Sequence, residues 1–183
     1  MKKHFYLVCE RYDEALELVK SALGDKLRSA GGFVSLDDGG SFSIFPAEAA
    51  VCREDYEGRE FMKASPPVRH DTEAFREDGV KLLEEAQYYP FALLAYIGGF
   101  ELVIPQFRSA LSDIISSEQP TFAIMLSEKK TEELRCTLGL GDKLTAYADR
   151  LRSAVSADGN SICIEACASE CGGMIAEWIA EFA

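Results

Sequence analysis

The sequence predicts a three-layer α/β fold with a mostly parallel sheet. Four apolar runs, at His4–Val8, Phe91–Tyr96, Thr121–Leu126 and Ser161–Glu165, are nearly continuous rather than alternating. Such runs are typical of parallel strands that helices cover on both faces. Between the runs, apolar residues recur at helical spacing. Because strand and helix patterns alternate along the chain, most of the sheet is expected to be parallel.

Four helical segments separate or follow these strands. Asp13 is placed to cap the first, Asp71 or Thr72 the second, and Asp142 the fourth. Pro105 suits the first turn of the third, because a helix needs no N–H at that position. The apolar positions of the four segments are Ala15, Leu18, Val19, Ala22 and Leu23; Phe75, Gly79, Leu82, Leu83 and Ala86; Phe107, Leu111, Ile114 and Ile115; and Leu144, Tyr147, Ala148, Leu151 and Val155.

An antiparallel hairpin interrupts the alternation after the first helix. Two β-rich runs, Gly32–Leu36 and Ser41–Phe45, flank Asp37-Asp38-Gly39-Gly40, and an Asp-Gly step between such runs favours a tight turn. The stretch from Ala47 to Arg69 is polar and contains Pro66-Pro67. It is expected to hold one or two short edge strands or an irregular loop.

The carboxyl end predicts an amphipathic helix. Its apolar stripe, at helical spacing, is Met174, Ile175, Trp178, Ile179 and Phe182. Such stripes usually pack on the chain's own core, and we expect this one to cover the sheet. A homodimer contact through the same stripe is the alternative.

Composition limits the classes of partner. The 183 residues fit a single domain, 1–183, with 48% hydrophobic content and a net charge of −12. Acidic proteins repel the phosphates of nucleic acid and of anionic membranes, so we expect neither as a partner. A small molecule or a protein partner fits better. The apolar run before Glu10 is too short for a signal peptide, and the prediction is a cytoplasmic protein.

The six cysteines are predicted to be reduced and to bind no metal. A chain of this size does not need disulfides to build its core. The only cluster, Cys163-x-x-x-Cys167-x-x-x-Cys171, lacks the paired C-x-x-C spacing of zinc sites and has no nearby histidine.

The connection between the first strand and the first helix lacks a phosphate-binding loop. Nucleotide-binding proteins carry G-x-x-x-x-G-K-[ST] at this place, where glycine N–H groups, a lysine and a hydroxyl hold phosphate and Mg²⁺. Here the chain reads Cys9-Glu10-Arg11-Tyr12-Asp13-Glu14. None of the four defining positions is present, and the three carboxylates of this segment are expected to repel phosphate.

Several short motifs, in their order and spacing, resemble the cancer-related nucleoside-triphosphatase family, a P-loop NTPase family. They are Gly31-Gly32-Phe33-Val34 at the hairpin, Asp71-x-x-Ala74-Phe75 at a helix start, Leu93-Leu94-Ala95-Tyr96-Ile97-Gly98-Gly99-Phe100-Glu101-Leu102 on a strand and its exit, and Phe107. The resemblance spans about residues 1–127, weakens over Ser127–Ala157, where extra helix is expected, and returns faintly at the last strand.

The resemblance implies a site that this chain has lost. In the family, the third of these motifs carries an acidic pair that holds Mg²⁺ through water and polarises the attacking water. Ala95 and Tyr96 stand at those positions here, whereas Ile97, Gly98, Glu101 and Leu102 match. Both the phosphate loop and the metal-binding strand end are therefore expected to be degenerate, with no cofactor and no metal bound.

The crevice at the carboxyl ends of the parallel strands remains the expected pocket. Its candidate lining residues are Cys9, Arg11, Tyr12, Glu14, Tyr96 and Glu101. Glu101 is expected to cap the next helix or pair with Arg108, and Tyr12 to pack at the sheet edge rather than stack on a base. The acids around Cys9 are expected to raise its pKa.

These observations favour a catalytically inactive, NTPase-like protein that acts in binding or scaffolding, with no catalytic residue assigned. Two alternatives stay open. One is an active nucleotide hydrolase with an atypical site, and the other is a small-molecule enzyme built around Glu101 or Cys9.

Overall fold

The computed structural model describes residues 2–37, 42–51, 62–64, 73, 75–137 and 139–183. Three sequence predictions fall outside this part of the chain: the turn of the hairpin, the Asp71 or Thr72 cap of the second helix, and the state of Cys52. The same holds for most of the polar stretch from Ala47 to Arg69.

Within the described residues, seven strands form one sheet in the order β4-β3-β2-β5-β6-β1-β7. Five neighbouring strands, β2, β5, β6, β1 and β7, are parallel. At one edge, β3 runs antiparallel to both β2 and β4. The strands are β1 (His4–Cys9), β2 (Ala30–Asp37), β3 (Phe42–Pro46), β4 (Met62–Ala64), β5 (Phe91–Ile97), β6 (Thr121–Leu126) and β7 (Ser161–Glu165). The predicted, mostly parallel α/β sheet with an antiparallel hairpin is thus confirmed.

The hairpin is part of the central sheet rather than an addition to it. Its first strand pairs with β3 on one side and, from Ala30 to Phe33, with β5 on the other. Gly32 makes this close approach feasible: its φ is +90°, and a Cβ there would lie 2.5 Å from the carbonyl oxygen of Leu93. Only glycine tolerates both conditions.

Helices cover both faces of the sheet. On one face lie α1 (Tyr12–Leu23) and α6 (Gly172–Phe182), and on the other α2 (Val80–Glu85), α3 (Pro105–Ile115) and α5 (Lys143–Ala157). A further helix, α4 (Glu128–Thr137), packs against α5. No helix within the described ranges is long and apolar enough to cross a bilayer.

The carboxyl-terminal stripe packs on the sheet of its own chain, as predicted. Trp178 is fully buried, its indole N–H donates to the carbonyl of Lys3 at 3.0 Å, and its ring contacts Phe91 and Phe122 edge to face. Ile175 and Ile179 are buried in the same cluster. Trp178, Ile175 and Ile179 are therefore used inside the chain, whereas Met174 of the same stripe is 41% exposed, and the homodimer contact stays an untested alternative.

Two details of the helices differ from the sequence prediction. Asp13 does not cap α1, because Arg11 occupies the capping position without a side-chain hydrogen bond and Asp13 lies in the first turn. There its charge still interacts favourably with the amino end of the helix. Pro105 begins α3 as predicted, whereas Asp142 precedes α5 but makes no capping bond.

The cysteines of the described chain carry free thiols. These are Cys9, Cys136, Cys163, Cys167 and Cys171. Their reduced state in solution stays a prediction.

Candidate functional site

A cavity of about 520 Å³ lies at the carboxyl ends of β1, β5 and β6. This is the edge at which open α/β sheets bind ligands. Four of the six predicted residues line it: Arg11, Tyr12, Glu14 and Tyr96. Cys9 and Glu101 do not, and both side chains are buried.

The sequence did not predict the second wall of the cavity. This wall comes from α4, through Lys130, Glu133, Leu134 and Thr137. The helix is polar and buries only Thr131, so it has no apolar stripe by which a sequence pattern could find it. The sequence predicted extra helix between Ser127 and Ala157, but neither the bounds of α4 nor its place in the cavity wall.

The connection from β1 to α1 is very short. Strand β1 ends at Cys9, helix α1 begins at Tyr12, and the N–H of Ala15 already donates to the carbonyl of Arg11 at 3.2 Å. A phosphate cradle needs a longer run of backbone that curves around the anion and directs several N–H groups at it. Two connecting residues cannot form such a curve.

Tyr12 fixes this end of α1 to the hairpin. Its hydroxyl donates to the carbonyl of Ser35 at 2.8 Å and accepts from the N–H of Ser35 at 3.2 Å. Because β2 pairs with β5 only as far as Phe33, the tyrosine satisfies backbone groups that lie just beyond the ladder. Tyr12 therefore packs structurally at the sheet edge, as predicted.

Tyr96 stands at a β-bulge of β5. Ala95 faces Ile124 and Ile97 faces Met125, so Tyr96 is the extra residue. Its φ is +79°, a positive value that residues other than glycine rarely adopt. The bulge turns its ring against Tyr12, with ring centres 5.0 Å apart in an edge-to-face arrangement. An aromatic pair thus lies at the exit of β5.

The charges around the cavity are largely paired. Arg11 contacts Glu14, Lys129 lies 3.0 Å from Glu10, and Lys130 donates to Glu133 at 2.7 Å. Cations therefore lie beside Glu10 and Glu14 and weaken the repulsion of phosphate that is expected from the acids of this segment.

Glu101 is a buried structural carboxylate, but its partners differ from those predicted. Only 3% of it is exposed, and its Oε1 accepts hydrogen bonds from the N–H groups of Gly98 at 2.7 Å and Gly99 at 3.0 Å. It neither caps α3 nor pairs with Arg108, which instead donates to the carbonyl of Leu102. Burial raises the pKa of Glu101 to about 7, and the two N–H bonds limit the rise.

Cys9 lies at the end of β1 with its side chain in the core. Burial raises the pKa of its thiol to about 11, with a smaller contribution from Cys167. The predicted direction was correct but its cause was wrong, because desolvation and not the neighbouring acids dominates. The thiolate that nucleophilic chemistry needs is therefore scarce at neutral pH.

Metal-binding side chains do not converge in the part of the chain that the structure describes. No group of three or more His, Cys, Asp or Glu side chains there is arranged to hold an ion. At the exit of β5, the side chains of Ala95 and Tyr96 offer no carboxylate.

Comparisons with known proteins identify a fold and not a family. No family model matches the sequence, and no curated protein is significantly similar to it. The structure is similar to the crystal structure of THEP1 from the hyperthermophile Aquifex aeolicus, with a TM-score of 0.62, 16% sequence identity and coverage of 98% of each chain. THEP1 has the P-loop NTPase fold. The chain therefore has a P-loop NTPase-like α/β fold.

Proposed function

We propose that this protein is a non-hydrolysing member of the P-loop NTPase fold that acts in binding or scaffolding. The observation that carries the proposal is the two-residue connection between β1 and α1 together with the Tyr12–Tyr96 pair above it. Phosphoryl transfer needs a cradle for the β- and γ-phosphates and a held metal ion. The described residues at this edge provide neither group of ligands.

The resemblance to the cancer-related nucleoside-triphosphatases is part of this proposal. It accounts for a complete α/β scaffold in which other residues stand at the phosphate loop and at the metal-binding strand end. In this view, an ancestral nucleotide site lay at the carboxyl edge of the sheet, and the same edge now contacts a different ligand or partner.

The cavity offers a mixed surface for a ligand that is not a triphosphate. Its lining includes the apolar surfaces of Tyr96 and Leu134 together with Arg11 and Lys130, each of which forms an ion pair. A volume of about 520 Å³ lies within the range of small-molecule sites. A small molecule or a side chain of a protein partner would fit this combination of apolar floor and charged rim.

The two catalytic alternatives find less support in the geometry. The Oε1 of Glu101 is engaged by Gly98 and Gly99, and the side chain lies outside the cavity lining. The Cys9 thiol is buried with a raised pKa. Neither group is placed to reach a substrate in the cavity.

Calorimetry and a phosphate-release assay test the proposal. ATP and GTP are titrated into the protein with Mg²⁺, and each is then incubated with it while phosphate is measured. We expect no binding at micromolar nucleotide and no turnover above the protein-free control. Turnover that Glu101→Gln abolishes, with Glu177→Gln as the surface control, would establish the atypical hydrolase instead.

A further inference from the structure

Strand β7 is an edge strand of the sheet and pairs with β1 alone among the described strands. At the two ends of this pairing, the backbone groups of Asn160 and Ala166 form the hydrogen bonds to β1. The bonds of a parallel ladder use every second residue of a strand, so the even-numbered residues of β7 serve β1. The backbone N–H and carbonyl groups of Ser161, Cys163 and Glu165 therefore point away from the sheet.

The described residues provide partners for these outward groups only at the beginning of β7. The N–H of Ser161 donates to the carbonyl of Asp158 at 3.2 Å, and its carbonyl accepts from the ammonium group of Lys2 at 2.8 Å. Neither backbone group of Cys163 has a partner within the described ranges. Unpaired backbone groups on an edge strand are a template for pairing with a further strand.

The middle of β7 lacks the features that usually prevent such pairing. It reads Ile162-Cys163-Ile164, with no charge, no proline and no glycine, and all three residues are partly exposed. The two isoleucines pack against the core cluster on the α6 face of the sheet without being fully covered. A strand added at this edge would cover them further.

The sequence of β7 is complementary to itself in the antiparallel direction. If Cys163 lies opposite Cys163 of a second copy, each Ile162 faces an Ile164, and each Ser161 faces a Glu165. The central pair then exchanges both of its outward hydrogen bonds. The isoleucine pairs are of the kind without hydrogen bonds, in which the Cα atoms are about 4.5 Å apart and apolar side chains touch.

Opposite charges meet at both ends of this arrangement. Lys2 and Glu165 are exposed, and the ammonium group of Lys2 lies on the outward carbonyl of Ser161. In the register centred on Cys163, that carbonyl faces Glu165 of the second copy. Two-fold symmetry repeats the pair at the other end, so charge favours the same register as the isoleucines.

We propose that the β7 edge is a self-association surface, through which two copies of this chain form an antiparallel β7–β7 pair centred on Cys163. The pairing uses the same edge of both copies, so it closes at two chains. The dimer does not depend on what the cavity binds, because no residue of β7 lines that cavity.

Sedimentation velocity over about 1 to 200 μM protein tests the proposal, since small interfaces associate in this range. Salt of about 0.15 M screens the repulsion between two chains of net charge −12. We expect the wild type to reach twice the mass of one chain. Cys163→Pro removes the central outward N–H without touching the bonds to β1, and should stay monomeric. The matched control Cys163→Ala keeps this N–H and should dimerise.

A charge exchange keeps the proposal testable if the proline variant does not fold. Lys2→Glu or Glu165→Lys alone places like charges at both ends, and each should raise the dimer dissociation constant about tenfold. The two substitutions together restore opposite charges, and the constant should return to within about threefold of the wild type. This recovery is specific to a register in which the two residues meet.

Three results would overturn the proposal. The first is a wild type that stays monomeric over the whole concentration range. The second is a dimer that a folded Cys163→Pro variant or the two single charge variants leave unchanged. The third is a dimer that Met174→Lys dissociates while these variants do not, because it would place the contact on the exposed part of the carboxyl-terminal stripe instead.

Discussion

Glu101 predicts an unusual dependence of stability on pH. Its carboxyl is buried, and its pKa is raised from the usual 4.5 to about 7. The folded protein therefore keeps a proton that the unfolded chain releases between these two values. The retained proton makes its full contribution to the free energy of unfolding below the unfolded pKa, and this contribution is lost as the pH rises through the folded pKa. Glu101→Gln removes the ionisation, while the amide oxygen can still accept from Gly98 and Gly99.

The size of the effect follows from the two pKa values. Each pKa unit corresponds to about 1.4 kcal/mol, so the free energy of unfolding of the wild type, relative to that of Glu101→Gln, should fall by about 2 to 3 kcal/mol between about pH 5 and pH 8. No ion pair contributes to the pKa shift of Glu101, because its causes are burial and backbone hydrogen bonds alone.

Urea unfolding of both proteins across this pH range measures the difference. The control is Glu177→Gln, an exposed glutamate on α6, for which the difference from wild type should not change with pH. If the Glu101→Gln difference is equally flat, the carboxylate is fully compensated in the folded state, and the argument from burial is wrong.

Three further predictions concern the scaffold. Gly32→Ala should destabilise the protein by about 3 kcal/mol or more, because the new Cβ meets Leu93 and φ is positive, whereas Gly141→Ala, with open space around it, should have little effect in the same urea assay. Trp178→Phe should cost about 1 to 3 kcal/mol through the lost bond to Lys3 and lost packing, and a change below about 0.5 kcal/mol would argue against the docking of α6. Thiol titration of the denatured, unreduced protein should find six free groups, and fewer would reveal a disulfide.

The strands could be predicted from sequence because the apolar pattern that marks each strand lies within its own residues. The runs Thr121–Leu126 and Ser161–Glu165 match β6 and β7 at both ends, and His4–Val8 is one residue shorter than β1. Each run is apolar and rich in β-formers, so no distant contact has to override its preference. The docking of the last helix followed from its stripe for the same reason.

The site could be predicted only in part, since its geometry depends on contacts between distant segments. Arg11, Tyr12, Glu14 and Tyr96 line one cavity because the ends of parallel strands meet at one edge, and their role as a ligand site stays a prediction. The bulge at Tyr96 and the bond from Tyr12 to Ser35 depend on the register between strands, which no local pattern encodes. The partners of Glu101 were missed because its nearest donors are the backbone N–H groups of Gly98 and Gly99 rather than a side chain.

The most direct test of the central claim is an amide NMR titration of the protein with MgATP. The proposal is that the connection between β1 and α1 does not bind a triphosphate. It predicts that the amide signals of residues 10–14 and of Tyr96 and Gly98 stay unchanged at physiological nucleotide concentration. Saturable shifts confined to those residues would place a nucleotide at this connection and would contradict the proposal.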